Sequence, residues 1–174
     1  MLNIEYIRTR SDAVIPSRAH PSDIGLDLVC VSEAKRINNN TILYETGISV
    51  SPPDGYYTEI LPRSSMSKSG WMLANSVGTI DPSYTGSLKV ALIRVNPEAP
   101  EPILPFCLCQ LVLRRAFYGN MLEVGELGET SRGEGGFGST GDRASVNQPP
   151  NLERQLSTNL DSTQYKQKGK LWAP

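Results

Sequence analysis

The ten residues from Arg132 to Gly141 (RGEGGFGSTG) hold an arginine, a phenylalanine, a serine–threonine pair and five glycines. Glycine lets backbone N–H groups turn toward an anion with no side chain in the way. The guanidinium presents a planar fork suited to phosphate oxygens. A single aromatic among glycines can close over a flat ring as a lid. Together these describe an arm that folds onto a nucleotide phosphate chain. The same composition also fits a flexible Gly-rich linker, and this stretch alone does not choose between them.

Four upstream segments share this chemical style. Asp23-Ile24-Gly25-Leu26-Asp27-Leu28 sets two carboxylates around a glycine where an apolar strand begins. Pro62 to Gly70 (PRSSMSKSG) combines cations, hydroxyls and a glycine, and a short helix beginning at Ser64 would turn free N–H groups toward an anion. Asn75 to Gly86 (NSVGTIDPSYTG) carries an amide, a carboxylate and a phenol around a turn. Gln110 opens the run Gln110-Leu111-Val112-Leu113. Taken singly, each has a plainer reading: Asp81-Pro82 as a turn former, Asp27 as a capped strand-start acid, Asn75 and Tyr84 as turn or core structure.

The elements that must position these groups read as strands. Gly (15) and Pro (13) are spread along the 174 residues, which favours short strands and turns over long helices. Alternation marks Leu2–Tyr6, Ile42–Tyr44, Gly47–Val50, Tyr56–Ile60, Leu88–Val95, Cys107–Leu113 and Ala116–Val124, the last with a turn at Gly119-Asn120. The expected fold is an all-β barrel or sandwich of about ten short strands. It divides into a β-barrel domain over residues 1–125, a Gly-rich arm over 126–143 and a polar tail over 144–174. The tail's Asn, Gln, Ser and Lys content predicts disorder, apart from an aromatic anchor at Leu171-Trp172.

A formal charge of −1 and a pI near 5.9 argue against a broad electrostatic grip on nucleic acid, so no direct nucleic-acid binding is expected. A polyanion must be held by a few placed groups and a metal. No apolar run approaches the ~20 residues of a membrane span, and the N-terminus lacks a signal-peptide core. Cys30, Cys107 and Cys109 are an odd count that does not read as a disulfide framework. They are expected as small buried apolar residues. His20 is the one histidine and reads as a solvated loop residue, so zinc sites and histidine-based nucleophilic triads are not expected.

Five segments in this order and at this spacing, over roughly residues 19–141, resemble the trimeric dUTPase family, the dUTP nucleotidohydrolases. The resemblance implies a jelly-roll or distorted β-barrel subunit and a homotrimer with active sites at subunit interfaces, each drawing on all three chains. It implies hydrolysis of dUTP to dUMP and pyrophosphate with Mg2+, which limits uracil incorporation into DNA and supplies dUMP for dTMP synthesis, in the cytoplasm or the nucleus according to source. Asp81 matches the water-activating carboxylate. Asn75 matches the residue reading the uracil edge, with the backbone of Gly78 and Ile80 completing base recognition. Tyr84 matches the ring that lies flush with the deoxyribose and excludes a 2′-hydroxyl. Arg63, Ser64 and Ser65 match the phosphate-binding segment, and Gln110 a contact to the α-phosphate or its waters. Arg132, Ser139 and Thr140, with Gly138 beside them, match the arm's phosphate contacts, and Phe137 the lid stacked on uracil. Asp27 matches the carboxylate that holds magnesium through water. Lys68 is expected to be solvated or part of a trimer surface.

Two departures from the family pattern stand out. Thr79 replaces an apolar residue after Gly78. Pro105-Phe106-Cys107-Leu108-Cys109 stands where a Gly-Asp-Arg-like run is usual, which puts an ion pair to a first-segment acid in doubt and predicts altered subunit packing. A dCTP deaminase or bifunctional deaminase of the same superfamily, and a non-catalytic nucleotide-binding trimer that uses its tail to hold a partner, are the competing readings.

Overall fold

The computed structural model describes residues 2–137. Gly138, Ser139, Thr140 and the 144–174 tail, with its expected anchor and partner, lie outside the described residues. The chain divides into two compact units, Met1–Asn120 and Met121–Pro174.

The first unit is all-β, apart from one 3-10 turn. Its strands are β1 (Glu5–Arg8), β2 (Leu26–Cys30), β3 (Ser32–Asn38), β4 (Thr41–Glu45), β5 (Ile48–Ser51), β6 (Tyr56–Pro62), β7 (Trp71–Leu73), β8 (Gly78–Ile80), β9 (Lys89–Arg94) and β10 (Phe106–Arg115). The 3-10 turn, Ser64–Lys68, stands where a short helix was expected. Strands pair in the orders β2-β10-β6-β8, β3-β4-β9-β7 and β1-β5, and every pair is antiparallel.

Alternation along the strands builds the core. Leu28 and Cys30, Ile60, and Cys109 and Leu111 point inward from the first four-stranded sheet. Ile42 and Tyr44, Leu73, and Val90 and Leu92 do so from the second. Burying a side chain of this size contributes about 1.5–3 kcal/mol, which is why a strand's parity, once set by its apolar residues, also fixes which residues face outward. Phe106 closes one end of the core, edge-on to Tyr44 at 4.8 Å.

The sequence expectations fail where pairing partners end. Ala116–Val124 alternates as a strand would, but it forms none. The β6 partner of β10 begins at Tyr56, opposite Arg115, and Ala116 N donating to the Gly55 carbonyl at 2.8 Å is the last bond of that ladder. Beyond it no strand edge is available, so Phe117, Tyr118 and Met121 are exposed, and Gly119-Asn120 makes no hairpin. The first strand lies at Glu5–Arg8 instead of Leu2–Tyr6. Its ladder stops where Glu5 meets Ser51, because Pro52 and Pro53 cannot donate to a further rung. No helix among the described residues is long and apolar enough to cross a membrane.

The loop before β10 is tied down by charge. Glu101 accepts two bonds from Arg36 of β3 at 2.9 and 3.0 Å, and one from Arg94 of β9 at 3.2 Å. Arg94 in turn stacks over Trp71, whose indole N–H donates to the Pro100 carbonyl. The Arg36 hydrogen bonds and charge hold the Glu101 carboxyl below its ordinary value of 4.5. A depressed carboxylate stabilises the fold above its unfolded pKa and stops doing so as pH falls through its folded value. Glu101→Gln is therefore expected to lower the melting temperature at neutral pH, with the gap to wild type closing in acid below 4.5. Calorimetry across that range checks it.

Candidate active site

The first, second and fourth segments meet at one end of the sheet through the register of β10. Gln110 stands opposite Asp27 of β2 on one side and Leu61 of β6 on the other. Directly opposed residues share a face and lie in side-chain contact. The Gln110 amide donates to the Pro62 carbonyl at 3.0 Å. Gly25 allows this, since a Cβ there would come within 2.7 Å of the Gln110 Cδ. Arg63 follows β6 directly. Its backbone N–H donates to the Leu108 carbonyl at 2.9 Å and its Nη1 to the Cys107 carbonyl at 3.2 Å. Its Nε lies 3.0 Å from Asp27 Oδ1. One of the first segment's two acids is thus paired with the second segment's own arginine. Ser64 and Ser65 open the 3-10 turn and are exposed, while Met66 anchors the turn in the core and Lys68 is solvated. Asp23 sits outside the cluster, its Oδ2 accepting from the His20 N–H at 2.9 Å.

All three cysteines are free, with Cys30 and Cys109 buried and Cys107 half-buried beside Arg63. Burial pushes the Cys109 thiol up to about 12. Burial also raises Cys107, against the pull of Arg63.

The third segment lies at the other edge of the same sheet. β8 pairs with β6 so that Gly78 meets Ile60 and Ile80 meets Thr58. Asn75 sits in the tight turn between β7 and β8, where Ser76 has a φ of 61° and the Val77 N–H donates to the Asn75 carbonyl at 2.6 Å. The Asn75 amide nitrogen lies 3.5 Å from where a Cβ on buried Gly78 would stand. Asp81 follows β8 and is exposed, its carbonyl accepting from the Tyr84 N–H at 3.0 Å. A cavity of about 330 Å³ opens beside it, lined by Asp81, Thr79, Pro82, Tyr57, Arg115 and Phe117 among others. Neither Tyr57 nor Arg115 was singled out from the sequence. The one hint was the doubled arginine, Arg114-Arg115, ending the strand that carries Gln110. Tyr84 is 42% exposed, its phenol donating to the Ser87 carbonyl at 3.0 Å.

Both clusters occupy the outward face of one sheet, at opposite ends. Thr58 and Ile60 face the core, so Tyr57, Glu59, Leu61 and, by continued alternation, Arg63 face out. Asp81 follows Thr79, which opposes Glu59 on that face. From Tyr57 to Arg63 the strand runs ~20 Å at ~3.3 Å per residue. Between the clusters a polar row fills the face: Tyr57 donates to Glu59 Oε1 and Arg114 to Glu59 Oε2, each at 2.8 Å. In the second unit, Arg132 turns back on its own loop, its Nε donating to the Gly135 carbonyl at 2.7 Å, and Phe137 is fully exposed.

Among the described residues, no three His, Cys, Asp or Glu side chains gather to cage a metal. What the first cluster offers is one carboxylate, Asp27, with Arg63 on one oxygen and the Gln110 amide across the strand. That donor set fits a hydrated magnesium held through its waters and completed by phosphate oxygens, because magnesium sheds water reluctantly and needs few carboxylates.

The family model described as dUTPase matches residues 11–141. A deoxyuridine 5′-triphosphate nucleotidohydrolase of Thermobifida fusca is 37% identical over 145 residues, covering 82% of this chain and 81% of its own. One from Nocardia farcinica is 40% identical over 134 residues, covering 76% and 81%. Among solved structures, the dUTPase of Staphylococcus bacteriophage 80alpha with dUpNHpp superposes with a TM-score of 0.62 at 22% identity, over 80% of this chain and 99% of that one. A dUTPase of phage phi11 of S. aureus, described with a structural Mg(II) ion, gives 0.57 at 19% identity, over 73% and 99%.

Gly25→Ala should displace Gln110 from Pro62 and cost about 1–3 kcal/mol, as overpacking does. Urea unfolding, read as a lowered midpoint at unchanged slope, checks it.

Proposed function

The chain belongs to the dUTPase family, and on that premise we propose that it is a dUTP diphosphatase working as a homotrimer, with each site assembled between copies. The observation that carries the assembly is the ~20 Å of strand within one chain from Tyr57, opposite which Asp81 continues the register of β8, to Arg63. A base for the attacking water and the groups that hold the same triphosphate must converge within a few ångströms of one phosphorus. One copy cannot bring them together, but two copies meeting on this face can.

Asp81 orients a water and accepts its proton as the oxygen attacks the α-phosphorus. The bond from that phosphorus to the α–β bridging oxygen breaks, releasing dUMP and pyrophosphate. Arg63, Ser64 and Ser65 bind the phosphates, and Gln110 positions the α-phosphate or its waters. Asp27 would hold a hydrated magnesium through its waters, and the ion would supply neutralisation of the phosphate charge. Asn75 and the backbone at Gly78 and Ile80 read the uracil edge, with one donor and one acceptor on the Asn75 amide. Tyr84 packs against the deoxyribose. Arg132, Gly138, Ser139 and Thr140 close on the phosphates while Phe137 stacks on the base, excluding bulk water and fixing an in-line approach. The reaction keeps uracil out of DNA and yields the dUMP from which dTMP is made.

Pyrophosphate release with magnesium is expected from dUTP, and not from UTP, dTTP or dCTP run in parallel. Ammonia release from dCTP would point to the deaminase branch instead. Asp81→Asn should lower kcat by at least ~10²-fold while a non-hydrolysable dUTP analogue binds within a few-fold of wild type. Mixing Asp81→Asn with Arg63→Ala chains under conditions of subunit exchange should restore roughly a quarter of wild-type activity, because that share of mixed sites draws Asp81 and Arg63 from intact copies. No recovery after demonstrated exchange would place both residues of a site on one chain. Deleting residues 130–174 should abolish turnover and leave a trimer by light scattering, whereas deletion from Ala144 should be mild.

A further inference from the structure

Glu45 closes β4 and belongs to none of the five segments, yet its side chain is only 15% exposed. Its Oε1 accepts from the Gly47 N–H at 2.9 Å and from the Ser87 hydroxyl, and Oε2 faces Lys89 Nζ at 3.6 Å. Burial alone would push this carboxyl up, but the Ser87 hydroxyl, the Gly47 N–H and Lys89 outweigh it and hold it below its ordinary value. It is therefore an ionised acceptor at neutral pH, and Ser87 must be the donor. The Ser87 carbonyl, on the same residue, receives the Tyr84 phenol at 3.0 Å. The ring lies against Gly86 so closely that a Cβ there would stand 2.6 Å from the Tyr84 Cζ. Beyond Ser87, the backbone of Leu88 is clamped by Thr46 and Ile48. The Tyr84 ring is more than a third exposed. It has no core packing to fix it and depends on Ser87 and Gly86 for its orientation.

From this chain of contacts we infer that Glu45 is a positioning residue, acting through Ser87 to hold the Tyr84 ring at the angle that rejects a 2′-hydroxyl. The inference rests on the role of Tyr84 in the proposed dUTP site. The carboxylate bonded to the Ser87 side chain, together with the Leu88 N–H on the Ile48 carbonyl, holds the peptide whose carbonyl receives the phenol. Without it the ring tilts, the sugar pocket widens, and ribonucleotides enter. Exclusion of a hydroxyl by packing supplies discrimination of only ~10²-fold, so a small loss of ring order removes a visible part of it.

The test compares kcat/KM for dUTP and UTP in the full-length protein carrying Ser87→Ala, Glu45→Ala, both together, or Glu45→Gln, with Tyr84→Ala as reference. Ser87→Ala and Glu45→Ala should each lower the dUTP-to-UTP ratio by about tenfold, mainly through a higher KM for dUTP and a lower one for UTP. The double variant should do no worse than the larger single one, as for two residues sharing one contact. Glu45→Gln should retain most of the ratio, since its amide oxygen still accepts from Ser87. Should Glu45→Ala fold poorly, Ser87→Ala carries the test, because it removes one hydroxyl and leaves the bonds to Gly47 and Lys89. If wild type does not hydrolyse dUTP, or Tyr84→Ala leaves the ratio unchanged, the reading of the site fails and takes this inference with it. If Tyr84→Ala collapses the ratio while Ser87→Ala, folded as wild type, keeps it, the anchoring role of Glu45 alone is overturned.

Discussion

The register of β10, hydrogen-bonded to β2 along one edge and β6 along the other, is what the polar cluster of the first unit hangs on. With Leu111 and Cys109 seated in the core, Gln110 must face outward between Asp27 and Leu61. A slip of one residue would bury the amide and expose Leu111, so the apolar residues enforce the polar cluster. The same lock aims Arg63. Its backbone N–H bonds the Leu108 carbonyl at the point where β6 runs out, leaving the guanidinium beside Asp27.

That ion pair is a weak strut. Both side chains are about a third exposed, at 34% and 31%. Pairs this wet contribute little net stability, so the guanidinium and the carboxylate part at small cost. Within the run Pro105–Cys109, Phe106 fills the end of the core against Tyr44 while the carbonyl of Cys107, with that of Leu108, holds Arg63.

Much of this was legible before any coordinates. Tyr56–Ile60 and Leu88–Val95 became β6 and β9 because their alternation matches a half-buried strand, and Ser64 does open a helical turn. The motif segments named Asp27, Arg63 and Gln110, which the register of β10 gathers at one end of the sheet. What stayed hidden was pairing. Ser32–Asn38 is a strand whose residues are nearly all exposed, so it carries no apolar signal, and Trp71–Leu73 is too short to show a period. Ala116–Val124 has the period but no edge to meet. Tyr57, Arg115 and Glu45 escaped notice because nothing in their neighbours' chemistry points to Asp81 or Tyr84. Only the fold brings a residue at the end of β4 against one beyond the third segment.

On the proposed assembly, the ~20 Å of strand from Tyr57, next to Asp81, to Arg63 would also set when the protein acquires its activity. A newly made chain can complete its core, since both four-stranded sheets are internal to it, and would still hold only the halves of different sites. Competence would then come at encounter with other copies, the rate at low expression rising more steeply than in proportion to the amount of chain. The strand length would thereby act as a concentration threshold.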